Sequence, residues 1–156
     1  MTVAVWRIAV DAPAYAADDV SGIGAKITGG RWNSPGKPVV YCASNIALAT
    51  LETVHALRSG TLPFNRYLVR IAIPDAVWNK KQLLDPPPAG WDAIPASITS
   101  RTTGDAWLAA GATALLLVPS VIVPDECNVL INPRHGDAAA IRATTVRRWT
   151  YDPRFF

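Results

Sequence analysis

The chain has 156 residues, half of them hydrophobic and 17% charged, which suits one packed domain and excludes a disordered segment. Its formal net charge is +3, and its lysines and arginines are scattered apart from the doublets Lys80-Lys81 and Arg147-Arg148, so no stripe for nucleic acid stands out. Cys42 and Cys127 offer neither a disulfide framework nor metal-ligand spacing, and no stretch reads as a signal peptide or membrane span, so a reduced, cytoplasmic protein is expected.

Val3 to Val10 alternates and reads as a first strand. Residues 11 to 37, rich in Gly, Ala, Asp and Pro, read as a long loop with at most a short helix. Pro38 to Cys42 reads as a short buried strand. Ser44 is the expected N-cap of a helix running from about Asn45 to Ser59, with Gly60 and Pro63 placed to stop it. Arg66 to Ile73 is a clear strand. The proline-rich stretch Asp85 to Trp91 reads as a surface excursion rather than a domain linker, because neither flank holds enough apolar residues for its own core. Thr102 to Ala110 reads as a helix ended by Gly111, Thr113 to Val118 and Cys127 to Ile131 as strands, and Arg142 to Tyr151 as a terminal strand. Short strands and few helices in mixed order predict an α+β class, with residues 1–156 as a single domain.

The residues able to carry chemistry sit in apolar or tightly turned surroundings. Glu52 shares a helix face with Leu48 and His55 and is surrounded by apolar neighbours. A carboxylate there needs a partner or a task. The Glu52-x-x-His55 spacing matches half of a di-metal motif, but with two glutamates and two histidines in the chain no metal site is expected. Arg31 follows Gly29-Gly30 and suits bidentate pairing with a phosphate. Trp32 and Asn33 stand beside it. Gly22-Ile23-Gly24 lacks the third glycine of a dinucleotide fingerprint, and no phosphate-loop lysine exists. Tyr41 suits stacking on a planar ring or a core position with a bonded hydroxyl. Ser120 follows an apolar run outside any nucleophile elbow, and Asn128 and Asn132 bracket a strand.

Taken in order, Gly29-Gly30-Arg31-Trp32-Asn33, Val40-Tyr41, Leu51-Glu52-Thr53-Val54-His55, Leu117-Val118-Pro119-Ser120 and Asn128 to Pro133 resemble the RES-domain family, named for an arginine, a glutamate and a serine. The resemblance implies an ADP-ribosyltransferase-like fold and a bacterial toxin that depletes NAD by phosphorolysis or hydrolysis, held in check by an Xre-type antitoxin. It assigns catalysis to Arg31, Tyr41, Glu52 and Ser120. Contacts to NAD or phosphate fall to Arg31, Trp32, Asn33, Tyr41, His55, Ser120 and Asn128. It implies no cofactor besides NAD as substrate and inorganic phosphate as a possible co-substrate, a possible homodimer, and no direct contact with membrane or nucleic acid. Two alternatives stay open: transfer of ADP-ribose to a macromolecule, and a non-catalytic module binding protein or nucleic acid.

Overall fold

The structure is a computed structural model that describes residues 1–54 and 64–155. Among these, seven strands join in one sheet of order β4-β5-β6-β2-β1-β3-β7. In chain order the elements are β1 (Thr2–Val10), α1 (Ile23–Thr28), β2 (Val40–Ala43), α2 (Ile46–Val54), β3 (Arg66–Pro74), α3 (Asp75–Trp78), β4 (Gln82–Leu83), α4 (Ile98–Ala110), β5 (Leu115–Pro119), β6 (Cys127–Ile131) and β7 (Arg142–Arg148). The α+β expectation holds. Neighbours are antiparallel except β4 and β5, which run parallel.

Pairing is uneven along the sheet. β1 pairs with β3 along its whole length, from Thr2↔Pro74 to Val10↔Arg66. β2 pairs with β6 from Val40↔Ile131 to Ala43↔Asn128. Between these two blocks β1 meets β2 at Trp6↔Ala43 alone. The sheet is therefore two well-knit halves touching at a narrow seam.

Alternation along the strands places apolar side chains on both faces. Tyr41, Leu130 and Leu116 are cross-strand partners and share one face. Leu130, Leu116 and Val118 pack there with Trp32, Val39 and Trp107, which docks α4 and the 30s loop. Val40, Cys42, Val129, Ile131 and Leu115 form the core on the opposite face, with Val77 of α3 and Ile141. Ala43, Leu48, Ala49, Ile8 and Leu68 seat α2.

Several expectations move. The helix α2 is capped by Asn45, whose Oδ1 accepts the Leu48 N–H at 2.8 Å, rather than by Ser44. A capping side chain reaches the amide two or three residues on from the position just before the helix, and α2 begins at Ile46. The expected continuation of this helix to Ser59 falls largely outside the described residues. α4 starts at Ile98, four residues before the expected Thr102, because the buried positions of its first turns, Ser100 and Gly104, are small and carry no apolar signal. β7 ends at Arg148 instead of Tyr151. The short elements α3 and β4 were not expected.

Candidate active site

A cleft of about 1010 Å³ opens beside the seam and is lined by β1, β2, α1, α2 and the loops around residues 30 and 95. That volume lies at the upper end for small-molecule sites and exceeds the needs of a single nucleoside. Arg31, Trp32, Asn33, Tyr41, Glu52 and Asn128 all line it. Sequence positions spread over nearly a hundred residues thus converge on one cavity.

Glu52 is half-buried on α2. Its Oε1 accepts two hydrogen bonds, from Ser120 Oγ at 2.6 Å and from Asn128 Nδ2 at 2.8 Å. Both donors come from the β5–β6 hairpin, so the carboxylate is locked to the sheet. Oε2 receives no hydrogen bond among the described residues. Two donors on one oxygen fix the direction in which the carboxylate faces.

Ser120 differs from its expected place. It is fully buried, donates to Glu52 and accepts the amides of Ile122 and Val123, each at 3.1 Å. With its donor and acceptor positions filled, its hydroxyl orients the glutamate and holds the turn; it does not line the cleft. Asn128 has a second property. Its Oδ1 is buried without a hydrogen-bond partner among the described residues, leaving an acceptor at a cleft-lining residue.

The 30s loop is held from several sides. Tyr41 OH donates to Asn33 Oδ1 at 2.6 Å and accepts the Trp32 amide at 3.0 Å. Asn33 is fully buried, and its Nδ2 donates to the carbonyls of Ala25 and Lys37. Burial pushes the Tyr41 phenol well above its ordinary range, so the hydroxyl keeps its proton. Asn33, Trp32 and the Tyr41 hydroxyl therefore fasten the loop. The glycines serve the same packing. A Cβ on Gly30 would lie 2.8 Å from Tyr41 OH, so Gly30 makes room for the tyrosine rather than for a ligand.

Arg31 is half-buried and donates through Nη1 to the carbonyls of Trp91 at 2.9 Å and Ala93 at 2.8 Å. Its Nε and Nη2 have no hydrogen-bond partner among the described residues. Arg7 on β1 and Arg101 on α4 also line the cleft. None of the three arginines has an ion-pair partner among the described residues, and Arg7 Nε is buried without a hydrogen bond. The cleft wall thus carries three arginines against the carboxylates of Glu52 and Asp19. Sequence reading passed over Arg7 and Arg101. Arg7 did carry a signal, as a lone cation inside the apolar run Val3 to Val10. His55, expected at the site, lies outside the described residues. Asn132 is buried, donates to the Leu108 carbonyl and accepts the Arg134 amide, so it closes a turn away from the cleft.

Comparison with known proteins fits this geometry. The model of the RES domain matches residues 4–153. This chain belongs to the RES-domain family. A Sphingobium protein named Prs ADP-ribosylating toxin is 58% identical over 156 residues, covering 99% of this chain and 97% of that protein. A protein named Toxin Res from Yersinia enterocolitica is 39% identical over 144 residues, covering 90% and 92%. Another Toxin Res, from Pseudomonas putida, is 39% identical over 154 residues, covering 97% and 99%. These RES proteins match it over nearly their full lengths, so the cleft and both sheet halves fall inside the shared domain.

Proposed function

We propose that this RES protein is a toxin that consumes NAD by breaking the bond between nicotinamide and ribose. The observation that carries the reading is Glu52: a carboxylate clamped through one oxygen by Ser120 and Asn128, in a cleft also lined by Arg7, Arg31 and Arg101. Cleavage of an N-glycosidic bond passes through an oxocarbenium-like state, with positive charge on the ribose ring. Nicotinamide leaves with the electron pair of the C–N bond. Glu52 stabilises the developing charge or holds a ribose hydroxyl, and its rigidity means that little reorganisation opposes the step. The arginines neutralise the diphosphate, or an attacking phosphate. Attack at the anomeric carbon by inorganic phosphate yields ADP-ribose-1″-phosphate; attack by water yields ADP-ribose and a proton.

Incubating the protein with NAD, with and without inorganic phosphate, and separating the products tests the reading. Free nicotinamide together with either product is expected, and intact NAD in both reactions refutes it. As a toxin, the protein should arrest growth when expressed alone and be silenced by a cognate antitoxin of the Xre type. A second reading shares the same first step and ends with ADP-ribose on a macromolecule. It is favoured by the name of the Sphingobium relative. Adenine-labelled NAD separates the two: label retained on protein after denaturing electrophoresis supports transfer, and label confined to small products supports degradation.

A further inference from the structure

Arg31 is not free to choose its orientation. Nη1 carries two hydrogens, and the carbonyls of Trp91 and Ala93 engage this nitrogen at 2.9 and 2.8 Å. What remains is the edge formed by Nε and Nη2, the edge able to hold two oxygens of one phosphate side by side. The two carbonyls therefore decide which edge faces the substrate. They belong to the proline-rich segment, which is folded on itself by bonds from the Trp91 amide to the Pro88 carbonyl and from the Ala93 amide to the Gly90 carbonyl.

That segment is anchored beside Arg31 by a ring contact. Trp91 stacks on Trp32, with centroids 6.4 Å apart and planes inclined by 19°. Trp32 is itself buried among Val39, Trp107, Leu116, Val118 and Leu130. The ring contact thus refers the two carbonyls to the rigid core next to the residue they grip. Ile94, Pro95 and Ala96 continue the segment along the cleft wall.

We propose that Trp91 is a positioning residue for Arg31, acting through its ring on Trp32 and through the carbonyls that fix the guanidinium. The proposal rests on the reading that Arg31 holds a phosphate of NAD. Trp91 is half-buried at the edge of the cluster around Trp32, so thermal melting of each variant accompanies the binding measurements. Trp91→Ala and Trp91→Leu are expected to raise KM and Kd for NAD about tenfold, the scale of losing a stacked aromatic pair, with kcat little changed. Trp91→Phe keeps a ring and should recover most of the loss.

The decisive comparison is a double-mutant cycle with Arg31→Ala, read by calorimetric titration of NAD and by steady-state kinetics. In the Arg31→Ala background, Trp91→Ala should add almost nothing. Independent, multiplying losses overturn the proposal, as does an unchanged Kd in both Trp91 variants while Arg31→Ala binds weakly. An Arg31→Ala protein that binds NAD like the parent refutes the phosphate-holding role itself, and that result is distinguishable because it does not involve Trp91.

Discussion

Gly104→Ala offers the sharpest test of how the site is built. Gly104 is buried on α4 where the helix crosses the 30s loop. A Cβ placed there would lie 1.7 Å from the Trp32 carbonyl oxygen and 2.6 Å from its carbon. The neighbour is backbone, so no rotamer change relieves the contact, and helix and loop must separate by more than an ångström. The substitution favours helix formation by about 1 kcal/mol. Against this stand the bonds that cross the gap. Asp105 accepts both the amide and the hydroxyl of Ser34, and hydrogen bonds to a charged group contribute about 1.5–3 kcal/mol each. Overpacking alone costs about 1–3 kcal/mol. Losing one such bond and straining the packing amounts to about 3 kcal/mol, leaving a net destabilisation of about 2 kcal/mol. For a chain of this length that lowers Tm by roughly 4–8 °C. Because Arg31 precedes Trp32, NAD turnover should fall as well. Calorimetric melting and product analysis on the same preparation check both. A Gly104→Ala protein melting at or above the parent temperature with full turnover would refute the packing argument.

Glu52→Gln keeps the shape and an acceptor for Ser120, so Tm should hardly change while NAD turnover falls by about a hundredfold or more, as for removal of other preorganised charge-stabilising groups; normal turnover removes Glu52 from the chemistry. Ser120→Ala strips Glu52 of one donor and leaves two amides unbonded, which should cost about 2–4 kcal/mol in urea unfolding and lower kcat more than it raises KM; a loss confined to KM would instead mean that the hydroxyl touches substrate. Alkaline stability should report Cys42. Burial pushes this thiol up to about 12, against an ordinary value of 9.0, despite the opposing influence of nearby Arg7. The unfolded thiol releases its proton first, so this contribution is complete below pH 9 and declines from there to about pH 12. Cys42→Ala should flatten that part of the pH–stability curve, and an unchanged slope would show that the thiol does not contribute.

Much of the fold was readable because its central strands β2, β5 and β6 are short apolar runs bounded by turn residues. Cys127 to Ile131 was bounded correctly, since polar turns flank a run buried by both neighbouring strands. The start of α4 was harder, because the buried residues there are Ser100 and Gly104, and nothing local marks Gly104 as the point where another backbone passes. At the site, the residue types were legible and several assignments were not. Ser120 and Asn33 read as groups for a ligand, yet their partners are Glu52, Tyr41 and backbone atoms up to 68 residues away. The role of the proline-rich stretch needed the contact between Trp32 and Trp91, and that pairing exists only after folding. Arg101 had no local signal, being the single arginine of α4 among threonines and a serine.

The single pair Trp6↔Ala43 has a consequence for what joins the two halves. One half of the sheet brings Arg7, and the other brings Tyr41 and Asn128. With so little backbone pairing between them, the halves are joined mainly by the side-chain core they share, and a ligand spanning both would add to that join to an extent that grows with its concentration.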